Sequence, residues 1–260
     1  MFAYSSDGEN MANIAGNTAL AVLESALRER KLDRTLTTAL PPLERSDPAA
    51  FIPFDIAAMD AVLRGGLPRG QVSELVGPHS SGRTTLLLQL LAAATHRSEI
   101  AALVDTCDRL DVASASAAGI DLDRLLWIRG EAGSIDRVVE RALKALTLVL
   151  QAGGFGVVVL DLADVPLRVL KGLPYTTWLR VQRVVEGGET ACLLVGPEPL
   201  ARSAGGITVT CTGRSTWSEA PAHASAKAVR FTGLETRIRV VSPRRRVDGD
   251  ARVVAVASET

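Results

Sequence analysis

Cysteine, histidine, lysine and aromatic side chains are all scarce in this sequence, and each scarcity removes a class of function. The three cysteines, Cys107, Cys192 and Cys211, have no CxxC spacing, and with only three histidines there is no zinc framework. Three unpaired thiols fit a reducing cytoplasm. Aromatic residues make up 4% of the chain, and Trp127, Trp178 and Trp217 are far apart in sequence, so the sequence predicts no base-stacking platform. The formal net charge is zero, which excludes coating nucleic acid by bulk charge; any such contact must come from a local basic patch. No signal peptide is expected, because Met1 to Glu9 has neither a basic start nor an apolar core. The most apolar run, Ala145 to Leu160, is broken by Gln151, Gly153, Gly154 and Gly156, so it reads as a helix end and a strand, with no membrane span.

What is present is ample apolar material. Hydrophobic residues form 47% of the 260 and charged residues 22%, enough for one α/β domain with small additions at its ends. The stretch that organises the chain is Val72 to Val76 followed by Gly77-Pro78-His79-Ser80-Ser81-Gly82-Arg83-Thr84-Thr85 and a leucine-rich helix. A buried strand, a loop with a glycine at each end, and a helix start make the layout of a phosphate-binding loop, G-x-x-x-x-G-K-[ST]. Backbone amides of such a loop, with the positive end of the helix, cradle phosphate oxygens. Gly77 through Thr85 are therefore the candidate nucleotide contacts, for ATP or ADP with magnesium, and Thr84 stands where a hydroxyl would hold the metal. One position departs: Arg83 replaces the lysine. Arginine is a longer planar fork and does not substitute freely for a compact ammonium in a tight site. Lysine supplies only four of the 29 basic residues (Lys31, Lys144, Lys171, Lys227), so a general preference for arginine accounts for the change as well as selection does. His79 lies in a loop that tolerates many residue types, and no catalytic role is assigned to it.

The rest of the chain divides into three parts. Residues 1–50 read as a polar segment, an amphipathic helix from Asn17 to Lys31, and a linker marked by Pro41-Pro42 and Asp47-Pro48. Residues 51–245 form the core. There a short helix ends at Gly65-Gly66, and strands are expected at 71–76, 100–105, 125–129, 156–161 and 191–195. They alternate with helices at 135–150, where Ser134 is the N-cap candidate, and around 177–185. Alternation of this kind means a mostly parallel sheet flanked by helices. The C-terminal quarter changes character: strands at 207–211, 228–232, 236–241 and 251–256 follow one another, with Asp248-Gly249 as the expected last turn. Antiparallel strands therefore close the sheet, residues 246–260 being the terminal strand and tail. Alternation puts Arg237 and Arg239 on one face, and Arg244-Arg245-Arg246 adds three adjacent cations. A solvated face is the ordinary reading of such charges and a weak DNA contact the sharper one.

Gly65-Gly66-Leu67-Pro68-Arg69-Gly70 leading into the loop resembles the start of the RecA recombinase core. So do Leu103-Val104-Asp105 with Leu110-Asp111, the segment Gly119 to Leu126, and Glu235 to Val241. The resemblance covers about residues 50 to 245 and implies a RecA-like P-loop core. By it, Asp161 is the acid that meets magnesium through water, and Cys107 stands where the glutamate that activates the attacking water belongs. Gly196-Pro197-Glu198 offers no glutamine to sense the terminal phosphate. The segments after Asp164 and between Val195 and Gly206 depart from the two loops that line the recombinase's DNA channel. Lysine, glutamate and glutamine are thus lost together, which argues against a hydrolytic motor.

A RecA-like core with a degenerate nucleotide site and a short, divergent N-terminus looks like the ImuA family. These are RecA-like accessory proteins encoded with the Y-family-like protein ImuB and an error-prone C-family polymerase in bacterial mutagenesis cassettes. That resemblance implies contact with ImuB and RecA during damage-induced (SOS) translesion synthesis, with or without a bound nucleotide. The other reading is an ATPase that assembles on DNA, with Arg83 and a nearby acid, Asp105 or Asp108, replacing the missing groups. A nucleotide-sensing switch that binds without hydrolysis is a third.

Overall fold

The computed structural model describes residues 48–201, 206–218, 230–242 and 247–256, all within the unit Arg45–Thr260. The expected N-terminal helix and linker, and Arg244, Arg245 and Arg246, lie outside the described residues.

Eight strands form one sheet: β3 (Val72–Val76), β4 (Ala101–Asp105), β5 (Leu125–Arg129), β6 (Val157–Asp161), β7 (Ala191–Gly196), β8 (Thr208–Trp217), β9 (Phe231–Ser242) and β10 (Val247–Val256). Their spatial order is β10-β9-β8-β3-β7-β6-β4-β5. From β8 to β5 every neighbour is parallel, and β8-β9 and β9-β10 are antiparallel. A separate two-stranded pair, β1 (Phe51–Ile52) and β2 (Leu67–Pro68), brackets α1 (Ala57–Leu63). The remaining α-helices are α2 (Arg83–His96), α3 (Val112–Ala117), α4 (Ile135–Ala152), α5 (Leu167–Gly172) and α6 (Tyr175–Val185). This is a mixed α/β fold with a mostly parallel central sheet and an antiparallel C-terminal end, as the alternation of apolar runs predicts.

The central strands are apolar on both faces because helices cover both. On one face α1 and α2 bury Met59, Leu63, Leu86, Leu90 and Leu91 against Leu75, Leu103, Val159, Leu193 and Ile238. On the other, α4 and α6 bury Val139, Leu146, Trp178 and Val181 against Val72, Val104, Val158 and Leu194. Alternate residues of one strand thus serve two cores. Helix α4 follows its expected stripe, with Val138, Val139, Ala142, Leu146, Val149 and Leu150 buried. Ser134 stands at its N-cap in an extended conformation, but its side chain makes no capping hydrogen bond.

Two expectations for the C-terminal quarter fail. The strands expected at 228–232 and 236–241 are parts of one, Phe231–Ser242, since its pairing with β8 runs through both with a single irregularity beside Trp217. Nor is Asp248-Gly249 a turn: both lie inside β10, paired with Val241 and Val240. The glycine serves packing instead. A Cβ on Gly249 would come within 2.9 Å of Val62 Cγ1, so its absence lets α1 lie close on the sheet. Arg237 and Arg239 are exposed while Ile238 and Val240 are buried, which is the alternation expected of them.

Among the described residues no helix is long and apolar enough to cross a membrane. All three cysteines are free, and burial pushes the Cys192 and Cys211 thiols up to about 12, consistent with their reading as core residues.

Candidate functional site

Parallel strands bring their carboxyl ends to one edge, and the register decides what meets there. Val76 pairs with Gly196, Asp161 with Val195, and Asp105 with Asp161. The glycine-bounded loop 77–82 leaves β3 at this edge and enters α2. Thr106 and Cys107 follow β4, and Leu162 to Asp164 follow β6, beside it.

The loop is wedged against the antiparallel wing. A Cβ on Gly82 would stand 1.9 Å from Thr236 Oγ1, and Gly82 has φ 91°, a left-handed conformation that favours glycine. A Cβ on Gly213 of β8 would stand 2.1 Å from the carbonyl oxygen of Ser80, so the wing also needs its own glycine. Gly77, Ser81, Gly82 and Arg83 are consequently buried, while Pro78, His79, Ser80, Thr84 and Thr85 are exposed. Sequence reasoning found the loop but not Thr236 or Gly213, whose roles arise from strand pairing.

The loop is built to receive an anion. The backbone amides of Ser80, Gly82, Arg83, Thr84 and Thr85 donate to no described acceptor, the last three being orphan donors of a helix start. Ser81 Oγ and Arg83 Nη1 are buried without a hydrogen-bond partner. Phosphate oxygens would satisfy all of these, so a nucleotide's phosphates fit the donor set. Thr84 is open to solvent, where a phosphate-bound magnesium would meet its hydroxyl. No group of three or more His, Cys, Asp or Glu among the described residues could hold a metal alone.

Arg83 is 5% exposed. Burial pulls its guanidinium below its usual range, and the charges of Asp161, Asp164 and Cys211 pull it back. It is therefore a buried cation at the start of α2 that feels the charges of Asp161 and Asp164. Asp161 accepts a hydrogen bond from the Ala163 amide (2.9 Å) and is pushed up to about 6 by burial, with the Asp105 and Asp164 charges adding to the effect.

The two acids flanking Cys107, Asp105 and Asp108, are engaged elsewhere. Asp105 is buried and accepts from the Arg109 amide at 2.8 Å, the Leu110 amide at 2.8 Å and Trp127 Nε1 at 3.2 Å. It thereby ties the turn after β4 to β5. Asp108 pairs with Arg129, whose guanidinium also lies 4.6 Å over the Trp127 ring. Cys107 is half-buried, and burial together with the Asp164 and Asp161 charges raises its thiol, leaving little thiolate to act as a base.

Asp164 and Arg109 were not singled out as site residues from the sequence. Asp164 bonds Arg109 Nε at 3.0 Å and lies 3.9 Å from His79 Nδ1, joining the loops after β6 and β4 to the glycine-bounded loop. The segment after Asp164 is helical, with Pro166 and Pro174 opening α5 and α6. On the far side of β3, Glu74 is 1% exposed. Its carboxylate accepts from the Leu200 amide (2.6 Å), the Ala201 amide (2.9 Å) and the Thr208 hydroxyl (3.2 Å). The segment after β7 is thus anchored to the central strand by a buried charge.

Residues 48–172, from before β1 to the end of α5, match the RecA N-terminal domain family. The chain is 37% identical over 142 residues to Protein RecA of Clavibacter michiganensis subsp. michiganensis, covering 54% of this chain and 37% of that protein. It is 40% identical over 111 residues to Protein RecA of Symbiobacterium thermophilum, covering 42% of this chain and 30% of that protein. With Protein RecA of Syntrophus aciditrophicus it shares 34% identity over 148 residues, 56% of this chain and 41% of the relative. In each case the match spans well under half of the relative's length. The matched segment contains the loop, the ends of β4 and β6, and the acids just described. The chain therefore carries a RecA-like domain.

Proposed function

We propose that this protein is a RecA-like accessory factor of damage-induced, error-prone translesion DNA synthesis, similar to ImuA. It acts by contact with an ImuB-like Y-family protein, with RecA and, through them, with an error-prone C-family polymerase. Its loop holds phosphate without hydrolysing it. The observation that carries this reading is the state of the carboxylates beside Cys107, the residue that the resemblance sets in place of the base: Asp105 accepts two backbone amides and an indole, and Asp108 is paired with Arg129. Neither Asp105 nor Asp108 is left free to take a proton from an attacking water, and Asp161 is the acid that the resemblance assigns to magnesium. The amphipathic segment 17–31 and the strip after Pro243 are the first places to test for partner contact. Arg237, Arg239 and Arg244 to Arg246 are the cations for a weak DNA contact.

Magnesium-dependent ATP hydrolysis, measured with and without single-stranded DNA, tests the reading. The wild-type chain should release no phosphate above the blank in either condition. Arg83→Lys combined with Cys107→Glu should restore measurable turnover, and neither change alone should do so. Turnover by the unaltered protein would select the ATPase reading. A silent double variant would mean that these two positions did not cause the loss.

The free loop amides favour a nucleotide switch as the second reading. Excess ADP with magnesium should then raise the melting temperature, and partner affinity should change with nucleotide.

A further inference from the structure

Helix α4 carries more apolar surface than its core stripe uses. Leu148 is 66% exposed, more than any other large hydrophobic among the described residues, and it packs into neither core. It lines a cleft of about 530 Å³ between α4 and α6, together with Leu143 and Thr147 of α4 and Thr177 and Val181 of α6. From Glu140 to Leu148 the cleft follows α4 for just over two turns, about 12 Å at 1.5 Å per residue. None of its lining residues belongs to the glycine-bounded loop or to the strand ends beside it.

Cations dominate the rim. Lys144 and Arg180 line it, and the one acid there, Glu140, bonds Lys144 at 2.8 Å in an exposed pair. That bond holds the Glu140 carboxyl below its usual range, and the charges of Arg137 and Arg141 add to the effect. Arg141 is paired with Glu131, but Arg137 and Arg180 are exposed and make no ion pair with a described residue. An apolar floor under surplus positive charge is complementary to apolar side chains flanked by carboxylates.

The walls decide the form of the occupant. Their backbone amides are used inside α4 and α6, so an extended peptide would find no partners for its own N–H and C=O groups. Thr147 donates its hydroxyl to the Leu143 carbonyl at 2.9 Å, which leaves few polar groups to orient a small molecule. A helix satisfies its own backbone and presents side chains at i, i+3, i+4 and i+7, a spacing that fits a cleft of two turns.

We propose that the α4–α6 cleft docks an acidic amphipathic helix of a partner protein. Leu143, Leu148 and Val181 receive its apolar stripe, and Arg180 meets its carboxylates. The proposal rests on the accessory reading above and names the surface and the kind of segment through which that contact is made.

The test is surface plasmon resonance of the full chain over the immobilised ImuB-like protein, with fluorescence anisotropy of labelled synthetic amphipathic helices beside it. Leu148→Ser should raise the dissociation rate about tenfold at every salt concentration, as loss of an apolar anchor does. Arg180→Glu should slow association about fivefold, and that effect should fade at high salt. Both side chains are exposed, so neither change should move the urea midpoint. A leucine-striped peptide flanked by glutamates should bind and compete with the partner; the same peptide flanked by lysines should do neither. If both variants hold the ImuB-like protein as the wild type does, the accessory reading stands and the cleft falls. If the chain ignores that protein but binds the glutamate-flanked peptide, and Leu148→Ser weakens the binding, the cleft stands and the partner reading falls. Equal binding of the two peptides would overturn the proposal, since charge would then select nothing. Wild-type dimers that Leu148→Ser dissolves in sedimentation would overturn it in favour of a second copy. A chain that binds neither partner nor peptide would remove both.

Discussion

The carboxyl edge of the parallel strands and the antiparallel wing beside it handle charge in opposite ways. At the edge, Asp105, Asp161 and Glu74 are turned inward and accept most of their hydrogen bonds from backbone amides of neighbouring loops, and Arg83 is buried. On the wing, Arg214, Arg237 and Arg239 stand in solvent with no described counter-ion. Among charges of the first kind, Asp105 and Glu74 are committed to holding neighbouring loops in place. Charges of the second kind hold nothing and are available for binding. One region thus commits its charges to the fold, and the other leaves its cations exposed.

The sharpest way to break this comparison is to remove one charge of each kind. Glu74→Ala strips the acceptor from two amides and a hydroxyl at once, and it should cost about 4 kcal/mol. Arg239→Ala, an exposed cation on a strand, should change stability by no more than about 0.5 kcal/mol. Urea midpoints for the two variants give the answer directly. Similar losses would mean that the wing's cations are structural after all.

Asp161 is the exception at the edge, and pH exposes it. Its folded-state pKa is about 6 against an ordinary 3.8, so between those values the folded protein binds more protons than the unfolded chain. Stability from this group is therefore full below about 4 and is lost as pH rises through about 6; the penalty at neutral pH is on the order of 3 kcal/mol. Asp161→Asn keeps an acceptor for the Ala163 amide and removes the charge. The variant should be more stable than the wild type at pH 7, by about 2 kcal/mol, and the gap should narrow at pH 5. Midpoints that differ equally at both pH values would show that the carboxyl is not desolvated. A cation held beside Asp161 would reverse the penalty.

The contrast between the two regions also explains what the sequence revealed and what it hid. Continuous apolar runs such as Val157 to Leu160 and the stripe of α4 are local signals, and they placed the parallel sheet and its helices correctly. The glycine-bounded loop was legible for the same reason: a short contiguous stretch carries its geometry. Cross-strand facts were not legible. Gly249 reads as a turn residue in isolation, yet it is the place where Val62 approaches β10. Trp217 and Phe231 meet only because register brings them together, and Thr236 fills the space beside Gly82 from a strand far along the chain. Asp164 and Arg109 were missed likewise, being contributed by loops that follow different parallel strands.

Asp164 gives the smallest expected effect and the finest test of the comparison, because it belongs to the edge yet is partly exposed, like a wing residue. Its ion pair with Arg109 is solvent-screened, so Asp164→Asn should alter stability by less than about 1 kcal/mol. Its effect on binding should be clearer. A carboxylate beside the loop repels the phosphate that the free amides would accept, and it also occupies the Arg109 guanidinium. Neutralising it while keeping its shape should tighten ADP binding about fivefold, the equivalent of about 1 kcal/mol for two charges interacting through partly aqueous surroundings. The gain should shrink at high salt, as a screened interaction must. Calorimetry with ADP and magnesium at two ionic strengths measures both quantities, and Arg109→Ala in the Asp164→Asn background should cancel part of the gain. If affinity does not move at either ionic strength, Asp164 sits too far from the bound phosphate to gate it.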